Sequence, residues 1–434
     1  MLRKGGTSED ETFALSQYVK ALGSLLQPAK ANKKQAADVA LMTCILFVSF
    51  ETLRGHHSAA LKHVDAGIKI ISELSSSSSL SISTNPYTPL STLNRLFIRL
   101  ETQAGTVTFG RKRQLVSSAQ DFGLEGYGAD IPCTFTSLEQ ARNALEYIRV
   151  VGSQAPRIYF RLNEGGFWSS PGAENSYNFA AAPKIQPSST IPSPPSPLEN
   201  AKTEVAIELI RSAAALRLRQ WSAAFAPLLS SFPADAEPPS KATIALIKLH
   251  KIIMEVSFKI DYWRALHDEM VWDEHLAEFS EMVELAEEFV RLSTPNEGAS
   301  RGDKSQTQVI FNLDIGLIVP LYFVIGKCRD AALRRKAIQL LRSTERQEGV
   351  SNSLMAARIA ERLVELEEDG LGGVGDVVPR EKRISGIEVR FPGEEDGRGE
   401  GERGAWVRYQ IPPVRHLGAE RTGMVRTVEE WIEW

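Results

Sequence analysis

Cysteine is scarce in this 434-residue chain: Cys44, Cys133 and Cys328 lie far apart and none belongs to a CxxC pair. Neither a disulfide framework nor a structural zinc site is signalled, and a reducing compartment fits. Long apolar runs are also lacking. The two most apolar stretches, Val39 to Phe50 and Ile315 to Ile325, fall short of the roughly 20 residues that cross a bilayer, and the second carries Pro320. Met1 to Phe13 mixes Arg3 and Lys4 with Glu9, Asp10 and Glu11 and has no apolar core, which is wrong for a secretory signal. An excess of one charge is missing too. Fifty basic against 54 acidic residues leave a net of -4, so no global field draws in nucleic acid or an anionic membrane surface.

Motifs that carry chemistry are equally thin. There is no HExxH, no GxSxG elbow and no P-loop, which leaves nucleophilic and phosphoryl-transfer reactions without a starting residue. Gly370, Gly372 and Gly375, and again Gly399, Gly401 and Gly404, match GxGxxG, but that motif holds a pyrophosphate only between a strand and a helix. The first match follows a helical pattern and reads as a helix stop. The second contains Glu400 and Glu402, which repel phosphate, and reads as a low-complexity loop. His56, His57 and His63 cluster in sequence, yet a helix would set the outer two about 10 Å apart, too far to share one zinc. With Gly55 ending a helix, His56 and His57 read as surface turn residues. His267 and His275 flank Asp268, Glu269, Asp273 and Glu274 without a metal-binding spacing. Asp268 to Asp273 is one residue too long for the DDxxD face that holds magnesium on a diphosphate; an acidic helix end with an N-cap is the simpler reading. No catalytic, cofactor-binding or metal-ligating residue is assigned, no cofactor is expected, and the chain reads as a non-enzyme that works by binding.

What is present is helical periodicity. With 43% hydrophobic and 24% charged residues the chain has the composition of a folded protein, and 434 residues exceed the size of one growing core. The spacing of Leu15, Tyr18, Leu22 and Leu25, behind a capping box at Ser8 and Glu11, predicts a first helix closed by Pro28. A second, Gln35 to Leu53, is apolar nearly all round and is expected to be central to the core; a third runs from Ser58 to Leu74. Helices follow at about Leu90 to Gln103 and Leu138 to Val151, the latter behind Thr136 and Glu139 as a capping box. Leu246, Leu249, Ile253, Val256, Ile260 and Trp263 form a seam expected to pair with Leu276, Phe279, Val283, Ala286 and Val290. Further helices are expected at about 308–318, 320–343 and 351–368.

The organisation read from these patterns is an all-α antiparallel stack. It has an N-terminal helical lobe over 1–151, a disordered Pro/Ser-rich linker or loop over 152–200 and a C-terminal helical lobe over 201–370. Ser75 to Ser79 with Asn85-Pro86 reads as a flexible connection. A Gly/Glu-rich tail over 371–434 is expected to hold a small exposed β-hairpin, from Ile387 to Phe391 and Ala405 to Ile411, the rest being poorly ordered. Two basic patches stand out. Arg111-Lys112-Arg113 has the composition of a weak nuclear-import signal or a solvated turn. In the group Lys327, Arg329, Arg334, Arg335 and Lys336, Arg334 falls one turn after Asp330, so an internal ion pair is expected there.

Four blocks carry a resemblance: Phe13-Ala14-Leu15-Ser16-Gln17-Tyr18; Cys44 through Gly55 with Ala60-Leu61-Lys62-His63; Asp314-Ile315-Gly316 through Pro320-Leu321-Tyr322-Phe323 to Lys327-Cys328-Arg329-Asp330 and Leu333-Arg334-Arg335; and Arg346-Gln347-Glu348-Gly349 with Ser353 and Ala356-Ala357-Arg358. Together they resemble the regulatory region of fungal binuclear zinc-cluster (C6-type) transcription factors over roughly residues 10–370. Ser351 departs from that pattern, which would place tryptophan there. The six-cysteine cluster that presents a helix to DNA in that family has no counterpart among the three cysteines here. The resemblance implies a helical regulatory body acting in the nucleus, with other transcription proteins or a second copy as partner and a small-molecule effector. It implies no membrane and no DNA contact by this chain alone. Two alternatives stand beside it: a helical-repeat interaction scaffold, although no 34-residue period is visible, and, more remotely, an all-helical small-molecule enzyme with a pocket between helices.

Overall fold

The helix ends show how the local sequence sets the fold. Gly55 closes the first long helix with φ of 83°, its N–H returning to the Glu51 and Thr52 carbonyls, a left-handed C-cap that costs a residue without Cβ little. Pro238 opens another helix, where its missing N–H is no loss. Before Leu138, the Ser137 hydroxyl accepts from Gln140 N–H while the Gln140 carboxamide oxygen accepts from Thr136 N–H. The hydroxyl half of a capping box is thus present, one residue later than Thr136 and Glu139, while the Gln140 side chain reaches back past the cap to Thr136.

The computed structural model describes residues 12–21, 23, 36–76, 86–107, 114–115, 119–124, 131–153, 197–233, 235, 237–265, 268–293, 309–373, 375, 377–392, 403–411 and 426–434. Residues 12–21 are helical. The longer helices after them are α1 (Ala37–Arg54), α2 (His57–Ser76), α3 (Leu90–Val107), α4 (Leu138–Gly152), α5 (Pro197–Ser231), α6 (Pro238–Lys259), α7 (Leu276–Ser293), α8 (Ile318–Lys327), α9 (Ala331–Ser343) and α10 (Ser353–Glu368). The strands are β1 (Ile310–Asn312), β2 (Arg346–Glu348), β3 (Ser351–Asn352), β4 (Gly386–Arg390), β5 (Gly404–Ile411) and β6 (Arg426–Glu433). Among the described residues the protein is mostly helical with two small sheets. Leu22, Leu25, the Ser8–Glu11 box, Arg111 to Arg113, His267, Gly399, Gly401, the side chain of Trp263 and linker residues 154–196 lie outside the described residues.

Two hydrophobic clusters share one wall. The first gathers Leu41, Val48, Val64, Ile68, Phe97, Ile98, Ala144, Ile148 and Trp221 from α1 to α5. The second gathers Phe279, Met282, Val283, Leu321, Ala337, Leu341, Ala357, Ile359 and Leu363 from α7 to α10, together with Val389, Val407, Tyr409 and Ile432 of the tail strands. Helix α6 serves both, with Ile247, Met254 and Phe258 on the first and Ala245, Leu249, Ile252 and Val256 on the second. It is thus α6 that is central. Helix α1, apolar on nearly every side, buries Leu41, Ile45 and Val48 together with Phe47, but also the polar Asp38, Glu51 and Thr52, and leaves Leu46 65% exposed. The pairing of α6 with α7 is borne out, with Leu249, Val256, Phe279, Val283 and Ala286 buried, although Leu276 stays exposed.

Three expectations need correction. The stretch 308–318 is not a helix: Ile310–Asn312 pairs in parallel with Arg346–Glu348, which pairs in turn antiparallel with Ser351–Asn352. The stretch 320–343 is two helices broken at Cys328, whose ψ of 139° is extended; Asp330 then caps α9 through Leu333 N–H at 2.8 Å. The tail is a three-stranded antiparallel sheet in the order β4-β5-β6, not an exposed hairpin. Its Val389, Ala405, Val407, Tyr409 and Ile432 are buried in the second cluster, and the Tyr409 hydroxyl donates to the Ile359 carbonyl of α10 at 3.2 Å. The third strand escaped notice because its inward positions are few and Glu429, Glu430 and Glu433 dominate its composition.

Candidate functional site

The third and fourth blocks singled out in the sequence, around Gly316 and Glu348, meet where the two clusters join, while the first two meet each other through Tyr18, Phe47 and His63. Glu348 of β2 is buried, and its carboxylate accepts from the N–H groups of Gly316, Leu317 and Ile318 at 3.1, 2.8 and 3.1 Å. These are the orphan donors at the start of α8, and a negative group there is favoured by the helix dipole. Burial nevertheless pushes the Glu348 carboxyl up, against the lowering by those hydrogen bonds and by Arg346. His250 of α6 donates from Nε2 to the Gly316 carbonyl at 2.9 Å. Burial, with the Arg149 cation nearby, takes its pKa down to about 4, so it is neutral.

From the first cluster, α3 reaches the same loop. Arg99 bridges Glu146 of α4 and Asp314, and Arg142 meets the other oxygen of Asp314 at 2.8 Å. Gln103, fully buried, donates to the Leu313 and Asp314 carbonyls. This junction ties the two clusters through charge and backbone hydrogen bonds.

The basic group on α8 and α9 is neutralised within the fold. Lys327 meets Glu269 at 2.8 Å and lies over the Trp272 ring; Arg335 meets Glu368, and Lys336 meets Glu287. Arg334 is fully buried and pairs with Glu367 at 2.8 Å rather than with Asp330. Glu367 also accepts from Arg329 at 2.9 Å and from Ile384 N–H at 2.7 Å. Asp330 was the nearer carboxylate in sequence, but it is spent as the cap of α9.

The acidic run is likewise structural. Asp268 caps a 3-10 turn through Met270 N–H and pairs with Arg380. Asp273 receives both arms of Arg383 at 2.8 Å, and Arg383 also bonds the Val378 and Glu269 carbonyls. An acidic helix end is what the geometry gives. Gly370 has φ of 68° directly after α10, the helix stop expected there, and Gly404 sits in β5 with no room for a side chain against Trp431.

The histidines separate. His56 meets Glu51 at 2.8 Å, and His63 meets the Tyr18 hydroxyl at 3.3 Å. His57 is not a surface turn residue: it is 4% exposed and stacks on Phe391, centroids 4.7 Å apart, with Trp434 edge-on. Burial chiefly, with Arg403 and His56 adding, takes its pKa down to about 4. The tail sheet, invisible as a packing partner in sequence, is what covers it. Among the described residues no group of three or more His, Cys, Asp or Glu is placed to hold a metal ion, and no helix is long and apolar enough to cross a membrane.

Next to the junction lies an apolar crevice of about 340 Å³, counting the part open to solvent, lined by Thr106, Ile318, Val319, Tyr322, Ser351, Met355, Ala356, Ile359 and Val389. Ser351, the departure noted in the sequence, is on its wall. Nothing in the spacing of these residues announced the crevice, since they come from four separated stretches of chain.

No family model matches the chain, and no solved structure matches it. Among curated proteins it is similar to the aspercryptin biosynthesis cluster-specific transcription regulator of Emericella nidulans, 21% identical over 430 residues. The similarity covers 83% of this chain and 63% of that protein, so the chain spans less than two thirds of its relative's length. The chain is thus a distant homologue of a fungal biosynthetic-cluster transcription regulator.

Proposed function

We propose that this chain is a transcriptional regulator of the fungal binuclear zinc-cluster type, represented by its helical regulatory body and acting in the nucleus. The observation that carries the reading is the similarity to the Emericella nidulans regulator over 83% of the chain. The blocks that resemble the family's regulatory region support it: Asp314 to Gly316 and Arg346 to Gly349 interlock through Glu348, and the chemistry found there is packing and capping. Its partners are other transcription proteins or a second copy of the chain. That every cation of the α8–α9 basic group faces a carboxylate supports leaving contact with DNA to another module.

Helices of unequal length, 10 residues in α8 and 35 in α5, favour this reading over a repeat scaffold, whose units recur at constant size. The test is to tether the chain to a heterologous DNA-binding domain and measure a reporter, alongside transcript profiles of a strain lacking the gene. A several-fold change in the reporter and altered expression of a co-regulated gene set are expected. An unchanged reporter together with unchanged transcripts overturns the proposal.

A further inference from the structure

Helix α1 is turned the wrong way round for a chain that stands alone. It buries Asp38, Glu51 and Thr52 to 2, 4 and 3% exposure, while Val39, Leu46 and Leu53 stay 37, 65 and 37% exposed. Polar groups inside and large apolar groups outside both raise the free energy of a fold, so the combination needs a cause. The outward residues recur at intervals of seven, with Met42 and Phe50 half-buried beside them. They form one stripe along a helix of 18 residues, with the spacing of a seam between two helices. The stripe carries no charge. Its polar members are satisfied by their own helix: Thr43 donates to the Val39 carbonyl at 2.8 Å and Ser49 to the Ile45 carbonyl at 3.0 Å. Tyr18, stacked on Phe50, walls one flank. Covering the stripe therefore strands no polar group, whereas leaving it in water exposes a continuous apolar patch of the kind that marks an interaction surface.

We propose that this stripe is the seam of a homodimer, in which two copies of α1 pack antiparallel about a two-fold axis at Leu46. The positions are self-complementary about that residue. An antiparallel partner sets Val39 of one copy level with Leu53 of the other and Met42 level with Phe50, while Leu46 meets its own counterpart. Smaller or more flexible side chains thus meet larger ones, as close packing asks. A parallel pair in register would set Phe50 on Phe50 and Val39 on Val39, crowding one level and leaving another loose. A two-fold contact uses the same patch on both copies and closes on itself, so assembly stops at the dimer. The seam is about 27 Å of helix, a small interface, and a dissociation constant in the micromolar range is expected. The seam does not rest on the transcriptional reading, because oligomeric state is measured on the purified chain alone.

Sedimentation velocity of the full chain from about 1 to about 200 µM, a range that brackets such an affinity, should show monomer passing to dimer. Leu46→Lys sets two ammonium groups against each other at the axis and should raise the dissociation constant at least about tenfold, since like charges across an interface repel. Leu46→Glu should do the same. An equimolar mixture of the two variants should regain the dimer, because the axis then pairs opposite charges. Leu216→Lys, at a leucine of α5 that is 49% exposed and away from the stripe, is the control and should leave the dimer unchanged. At the lowest concentration both Leu46 variants should unfold at the Tm of the unaltered chain. A lower Tm there would place Leu46 in the core of the monomer and overturn the seam. A chain that stays monomeric throughout, or a dimer that Leu46→Lys leaves intact, overturns it as well. A mixture that remains monomeric overturns the axis at Leu46.

Discussion

The Glu348 carboxylate occupies the space that a side chain at Gly316 would fill, so that a Cβ at position 316 would overlap Glu348 Oε1. The absence of a side chain at one residue and the charge at the other, 32 positions later, are a single device. Glu348→Gln keeps the shape but turns an N–H donor toward backbone donors, and is expected to cost about 1–3 kcal/mol. Gly316→Ala should cost at least as much by steric overlap. Urea unfolding of both variants measures this; a loss below about 0.5 kcal/mol, the range of surface changes, for Glu348→Gln would show that the cap is dispensable.

Glu367 serves two buried arginines, Arg329 and Arg334. Removing it leaves Arg334 buried without its carboxylate and Arg329 with Glu269 alone, at 3.4 Å, and Glu367→Ala is expected to cost about 3–5 kcal/mol or to prevent folding. Arg335, whose side chain is 37% exposed and faces Glu368, is the control: Arg335→Ala should cost no more than about 1 kcal/mol. Equal losses in the two variants would contradict the buried network.

Two buried histidines make stability depend on pH. His57 and His250 have folded values lowered from 6.5 to about 4, so the unfolded chain takes up protons that the native chain refuses. The stabilisation is full above pH 6.5 and is lost as pH falls toward 4, at about 1.4 kcal/mol per pH unit for each histidine over that window. His57→Phe keeps the stack on Phe391 and removes one proton site. Its unfolding free energy, measured between pH 7 and 5, should fall less steeply than that of the unaltered chain; parallel slopes would refute burial of a neutral His57.

The thiols should differ sharply in reactivity. Cys133 is exposed, Cys44 is pushed up to about 11 by burial, and Cys328 is buried and also raised. Because the thiolate is the reacting form, a disulfide reagent should label one thiol rapidly in the native chain and the other two only on unfolding. Cys133→Ser should remove the fast phase, and a fast phase that persists in that variant would place the reactive thiol elsewhere.

Helices and their ends were legible in the sequence because the causes are local. Gly55 and the apolar spacings of α2, α4 and α7 act within a turn or two of chain. Resemblance of the four blocks likewise lay in the wording of the chain. Distances along the chain hid the rest: β1 needs β2, which begins 36 positions later; Arg334 finds Glu367 instead of Asp330; and the crevice forms from four remote stretches.

By itself, then, the sequence determined a mostly helical body without a catalytic motif, since 3.6-residue periodicity and capping chemistry are short-range. Only the tertiary structure decided which helix is central, what covers His57, and where the Ser351 hydroxyl is buried without a partner. Those outcomes depend on which surfaces win the competition to exclude water and satisfy buried charge, and that competition is settled between elements far apart in the chain.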